Sequence, residues 1–171
     1  MVVVVASLLA GIMILSEGSR EEGGYKLYRS SQYGFSIRYP RNWRENTVSG
    51  TAIYCDAPGH QASFNVQIPT SPGGMTLSQL VSLARLTIEN MYSSWGLTIT
   101  GEKDVRVNGM DGHEWKLFFE NFGGMNVKAT VKQDLFIVNE LLYTITFVST
   151  TEFYDQYAET FDNILNSFTV P

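Results

Sequence analysis

The residues best equipped for chemistry in this chain fall together in Asp111-Gly112-His113-Glu114. Two carboxylates around an imidazole supply the oxygen and nitrogen donors that zinc and manganese take. The same groups are what a hydrolase would use as acid and base. If the segment is a strand, alternation sends His113 and Glu114 to opposite faces, so they share one ion only across a bulge. His113 has the parity of Trp115 and Leu117 and is expected at the edge of the core. The only other histidine, His60, follows Cys55 through Asp56-Ala57-Pro58-Gly59. That Pro-Gly turn, with no third group to orient the imidazole, gives little support to a Cys–His pair. Cys55 is the single cysteine, which excludes an intrachain disulfide and a paired-cysteine zinc site. As a strand residue it lacks the helix-terminus field that commonly activates a thiol. There is no Gly-x-Ser-x-Gly elbow, no Gly-x-Gly-x-x-Gly and no Walker loop. The reading of the residues is therefore no catalytic set, no metal and no cofactor. A hydrolase or metal-dependent enzyme built on Asp111, His113 and Glu114 is the alternative.

Contact chemistry has a different signature. Pro72-Gly-Gly-Met75 and Phe122-Gly-Gly-Met125 each put large apolar side chains beside glycines at a turn. Adaptable methionine and aromatic groups on conformable loops suit a protein partner. Met75, Phe122 and Met125 are expected to be more exposed than their types usually are, and to form the partner-binding site. Trp43 is expected to pack against the end of a sheet, with an exposed anchor as the other possibility.

Charge and composition limit the partners. With 17 acidic against 12 basic residues and a net charge of -5, the chain lacks the basic field that nucleic acid or anionic lipid requires. At 44% hydrophobic and 13% aromatic residues it has the makings of a packed core rather than of a disordered chain. A length of 171 residues is enough for one domain with a short appendage. Residues 1–24 supply the appendage. Val2 to Leu15 is uncharged and apolar, and as a helix it would span about 21 Å against the roughly 30 Å of a bilayer's hydrocarbon. That suits a signal-peptide core or part of a membrane anchor. Ser16 to Gly24 is polar and reads as a tether. Leu9-Ala10-Gly11 resembles the start of a lipobox, but Ile12 stands where the lipidated cysteine would be.

Residues 25–171 must then position everything else. Leu77, Leu80, Val81, Ala84, Ile88, Met91, Tyr92 and Trp95 form one helical stripe, and Thr76 with Gln79 makes a capping box at its start. A second helix is predicted from about Thr151 to Ser167. It carries Phe153, Tyr157, Phe161, Ile164 and Leu165 on one stripe, continued by Phe168, with Ser149 and Glu152 as its capping box. Most of the remainder alternates with period two: Phe35, Ile37 and Tyr39 up to Pro40; Phe64, Val66 and Ile68 up to Pro69; and Trp115, Leu117 and Phe119. Met125 to Val131 alternates as well, and Asn108-Gly109 marks a tight hairpin turn. Leu135 to Val138 and Leu141 to Val148 are apolar on both faces, which predicts central strands covered by a helix on each side. Short turns between neighbours make the sheet antiparallel. The fold class is α+β, an antiparallel sheet of about six to eight strands between two main helices.

Tyr33-Gly-Phe-Ser-Ile-Arg-Tyr-Pro-Arg-Asn-Trp43, the Val107-Asn-Gly turn and the closing Ile164-Leu-Asn-Ser-Phe168 resemble the PsbP-like superfamily. That group includes PsbP of photosystem II and the DcrB and LpqN lipoproteins. The resemblance spans nearly all of residues 25–171. It implies an antiparallel sheet between helices and a binding, assembly or accessory role rather than an enzyme. The chain has no Arg/Ser-rich transit peptide, so a chloroplast role does not follow. Leader and resemblance together predict a monomeric module that is secreted or membrane-tethered outside the cytoplasm. It would bind a protein and touch the membrane only through the N-terminal segment. A cytosolic chaperone-like adaptor is the third reading.

Overall fold

The computed structural model describes residues 21–22, 24–69 and 71–171. The leader and most of the tether lie outside the described residues. Twelve elements follow in chain order: β1 (Glu21–Glu22), β2 (Tyr25–Ser30), β3 (Phe35–Pro40), β4 (Arg44–Asn46), β5 (Ile53–Asp56), β6 (Ala62–Gln67), α1 (Leu77–Met91), β7 (Leu97–Val107), β8 (Met110–Phe119), β9 (Ala129–Val138), β10 (Leu141–Thr150) and α2 (Tyr154–Asn166). Seven strands make one sheet in the order β4-β5-β6-β10-β9-β8-β7, and β1-β2-β3 make a small second sheet. Every pairing between these strands is antiparallel.

The two strands predicted to be central, β9 and β10, do lie inside the large sheet. Tyr143, Ile145 and Phe147 of β10 face a core shared with α2 and β3, while Leu142 faces a second core under α1. The first core is the larger because α2 does not cover it alone. Phe35, Ile37 and Tyr39 of the small sheet pack beside the helix. An isolated two-stranded hairpin is marginal in water, and β1 adds only two residues to β2 and β3, so packing against α2 is what supports them.

α1 starts where its capping box predicts. Gln79 N–H donates to Thr76 Oγ1 at 3.3 Å, and Thr76 N–H donates to Gln79 Oε1 at 2.9 Å. Thr76→Ala is expected to cost about 1 kcal/mol, read as a lower denaturant midpoint with an unchanged slope. The second box does not form. Ser149 is held extended in β10 opposite Thr130, a 3₁₀ turn over Thr151–Phe153 intervenes, and α2 begins at Tyr154 without a side-chain cap.

Two further expectations change. The alternation over 125–128 is not a strand, and β9 starts only at Ala129. Asn121 Oδ1 accepts from Asn126 N–H at 2.6 Å, and Phe122 N–H donates to Val127 C=O at 2.9 Å, so this stretch closes on itself as a loop. The polar side of the alternating strand β6 is not at the surface either, whereas β10 is covered on both faces as its continuous apolarity predicts. Ser63, Asn65, Gln67, Thr144 and Thr146 are all buried. The register aligns Trp115, Gln133, Thr146, Asn65 and Tyr54 in one row across five strands. Within that row Gln133 Nε2 donates to Thr146 Oγ1 at 3.1 Å.

Candidate functional site

The chemistry-bearing cluster is dispersed by its own strand. His113 sits on the α1 side of β8, with its ring edge-on to Trp115 at 5.1 Å. Asp104 and Glu102 of the neighbouring strand β7 hold it from both ends: Nδ1 lies 3.0 Å from Asp104 Oδ1 and Nε2 lies 3.1 Å from Glu102 Oε1. Each ring nitrogen thus already meets a carboxylate. The two nitrogens point apart, so the carboxylates cannot converge on one ion beside the imidazole. Glu102 also takes Arg85 from α1, which in turn reaches Glu89 at 3.5 Å. His113 is therefore part of a chain of polar contacts tying α1 to the edge strand.

Glu114 points to the other face, as alternation requires, and pairs with Lys103 at 3.1 Å and Lys132 at 3.2 Å. Asp111 is exposed near the β7–β8 turn, 3.6 Å from the equally exposed Arg106. Glu114 thus lies on the opposite face from His113, and Asp111, on the His113 side, is drawn off to Arg106 at the turn. Among the described residues no group of three or more histidine, cysteine or acidic side chains could hold a metal ion. Gly112 has a packing reason: a Cβ there would lie 2.4 Å from the Phe136 ring and 2.7 Å from the Leu135 carbonyl oxygen.

Cys55 and His60 do not meet as a pair. Cys55 is fully buried in the core beside α2, and burial, followed by the Glu45 and Asp56 charges, pushes its thiol up, away from reactivity. His60 is exposed, 3.5 Å from Asp56. Trp43 is buried between Phe64, Tyr157 and Phe161, which removes it as an exposed anchor.

The three contact residues separate. Phe122 is 6% exposed, against the expectation of an exposed tip. Gly123 at φ +63° turns the chain so that the Phe122 ring folds inward, 5.3 Å from Phe119 and 5.7 Å from Trp95. Met125 is 61% exposed on the same loop. Met75 is half-buried and lies before the N-terminus of α1, whereas Phe122 packs beyond its C-terminus. Fifteen helical residues put about 22 Å between these ends. Met75 lines an open cleft of about 500 Å³ with Leu77, Met110, Ile137 and Val138, and with Asp111 and Asn139 among its polar groups. The β7–β8 and β9–β10 turns bring these residues to one end of the sheet.

One group escaped the reading of the sequence. Asp134 is 0% exposed, and neither of its carboxylate oxygens has a hydrogen-bond partner among the described residues. Burial pushes its carboxyl up to about 8, against the opposing pull of the Lys132 ammonium. Lys132 itself donates to Asp162 of α2 at 2.6 Å. Lys132-Gln-Asp134, three polar residues leading into Leu135 to Val138, was the available signal.

No known family profile matches the chain, and no curated protein sequence matches it. Solved structures do. Cyanobacterial PsbP (CyanoP) from Synechocystis sp. PCC 6803 is 16% identical at a TM-score of 0.72, over 92% of this chain and 99% of that one. The Ran-binding protein Mog1p of Saccharomyces cerevisiae is 10% identical at a TM-score of 0.59, over 85% and 95% of the two chains. LpqN of Mycobacterium tuberculosis, involved in cell envelope biogenesis, is 12% identical at 0.58, over 86% and 91%. Likeness at such identities speaks for architecture. The described residues have the PsbP-like fold, an α+β sandwich with one seven-stranded antiparallel sheet, a small second sheet and two α-helices.

Proposed function

We propose that this protein is a non-catalytic binding or assembly module for a protein partner, held outside the cytoplasm by its N-terminal segment, with residues 25–171 as the working domain. The observation that carries the reading is the dispersal of Asp111, His113 and Glu114 into separate ion pairs and hydrogen bonds, each already committed to structural neighbours. A deep polar pocket holding those three side chains is what the enzyme reading required. Fold mates described as Ran-binding or as involved in cell envelope biogenesis support the same reading. The apolar leader supports the location, and the acidic balance of the chain disfavours nucleic acid.

Contact falls on the two ends of the sheet, with Met75 and its cleft at one end and Met125 at the other. Phe122 serves there by supporting the loop from beneath. Captured from native membranes with crosslinking, the full chain is expected to retain one defined protein. Met125→Ala or Met75→Ala is expected to weaken that binding by more than about 1 kcal/mol with little change in stability. Phe122→Ala should lower stability as well, since it empties a packed aromatic site. Binding unchanged in both methionine variants would move the contact site elsewhere. A reporter that works only outside the cytoplasm, fused after Pro171, is expected to be active, and a silent reporter would remove the proposed location.

A further inference from the structure

The two flanks of α2 are held by different forces. Toward β10 and β3 the helix buries Phe161, Ile164 and Leu165 in the main core. Toward β8 and β9 its side-chain contacts are largely polar. Lys116 of β8 lies over the Tyr154 ring at 4.3 Å, and Lys132 of β9 donates to Asp162 at 2.6 Å. Asn108, in the β7–β8 turn, donates to the carbonyls of Asn166 and Phe168 at 2.9 and 2.8 Å. Lys132 is the one of these cations that the protein buries, and it is shared with Glu114 at 3.2 Å.

Asp134 lies two residues from Lys132 on the same strand and therefore on the same face. Its cross-strand neighbours are Glu114 on β8 and Ile145 on β10. The charged and titratable groups around it are Lys132 on its own strand, Glu114 and Lys116 on β8, Lys103 on β7, and Tyr154 and Asp162 on α2. No hydrogen bond stabilises its charge among the described residues, whereas Lys132 is paired with Glu114 and Asp162. A buried carboxyl in that position is neutral while Lys132 serves the helix. Once ionised, it competes for the same ammonium.

We propose that Asp134 is a proton-operated latch for α2: neutral, it leaves Lys132 to clamp Asp162; ionised, it draws Lys132 away and frees the flank of the helix over β8 and β9. The direction follows from linkage. A carboxyl whose value is higher in the folded state than in the unfolded one contributes stability that is complete below the ordinary carboxylate range. That contribution is lost as pH rises through about 8, the value to which burial pushes Asp134. The latch is therefore closed in mildly acidic and neutral surroundings and opens on the alkaline side. It does not depend on which partner the protein binds.

Hydrogen exchange of the full chain, followed segment by segment and corrected for the intrinsic pH dependence of exchange, tests this. In the wild type, protection of α2 is expected to fall by about tenfold or more between about pH 6.5 and about pH 9, with β9 and β10 changing much less. Asp134→Asn should abolish that fall. Asp162→Asn should leave α2 poorly protected already at the lower pH, with little further change. Constant protection of α2 in the wild type would overturn the latch. So would an undiminished fall in Asp134→Asn, or a loss spread equally over helix and strands. Should Asp134→Asn fail to fold, the wild-type profile and Asp162→Asn still decide the matter.

Discussion

Trp43→Ala is expected to lower the stability of the protein by about 3–5 kcal/mol, the range for emptying a large aromatic site in a core. Trp43 is 3% exposed and stands at the join of three elements. Its ring meets Phe64 of β6 at 6.0 Å, Tyr157 of α2 at 5.9 Å and Phe161 of α2 at 6.3 Å. Its backbone N–H donates to Pro40 C=O at 3.0 Å, which turns the chain from the small sheet into the large one. Truncation therefore removes buried area, loses edge-to-face aromatic pairs, and leaves a void between sheet and helix that neither can close alone. Urea unfolding monitored by far-UV circular dichroism measures the effect, and Trp43→Phe should recover a good part of the loss. A midpoint within experimental error of the wild type would show that Trp43 sits at the surface, and would return it to the list of partner anchors.

Gly112→Ala is expected to cost about 3 kcal/mol, the upper part of the usual range for overpacking. The added methyl carbon would stand 2.4 Å from Phe136 Cε1, 2.6 Å from Cδ1 and 2.7 Å from the Leu135 carbonyl oxygen. The Phe136 ring is fully buried and already packs against Phe168, 5.8 Å away centroid to centroid. The carbonyl belongs to β9, whose ladder with β8 pairs Gly112 with Phe136 and His113 with Leu135, so it cannot retreat without loosening both pairs. Phe136→Leu in the Gly112→Ala background should restore part of the loss if the ring is the main obstacle, giving a favourable coupling between the two sites. Stability equal to the wild type in Gly112→Ala would mean that the strands are further apart there. The same measurement separates two accounts of Asp111-Gly-His-Glu114, because a glycine required by packing needs no ligand to explain it.

Several features were determined by the sequence alone, and they are the local ones. Of the predicted helical stripe, Leu80, Ala84 and Ile88 are buried, because 3.6 residues per turn places those side chains on one line, while Met91 at its end is 47% exposed. Thr76 and Gln79 cap α1 because both partners lie within one turn of chain. Asn108 and Gly109 make the hairpin turn at φ +49° and +84°, conformations that those two residue types accept at small cost. Continuous apolarity marked Leu135 to Val138 and Leu141 to Val148 as interior strands. The tertiary structure decided whatever depends on the occupant of a face. Alternation put Ser63, Asn65 and Gln67 opposite the core residues of β6 and could not reveal that their side would be buried too. Phe122 looked like an exposed turn tip because its partners, Trp95 and Phe119, meet it only once α1 and β8 are in place. His113 was legible as a core-edge residue. Its two carboxylates, Glu102 and Asp104, became its neighbours through the register of β7 on β8, which no local pattern encodes. Lys132 and Asp134 show the limit most plainly: two polar residues of equal parity on one strand. Only the approach of α2 gives the lysine an aspartate to hold and leaves the other carboxyl buried without one.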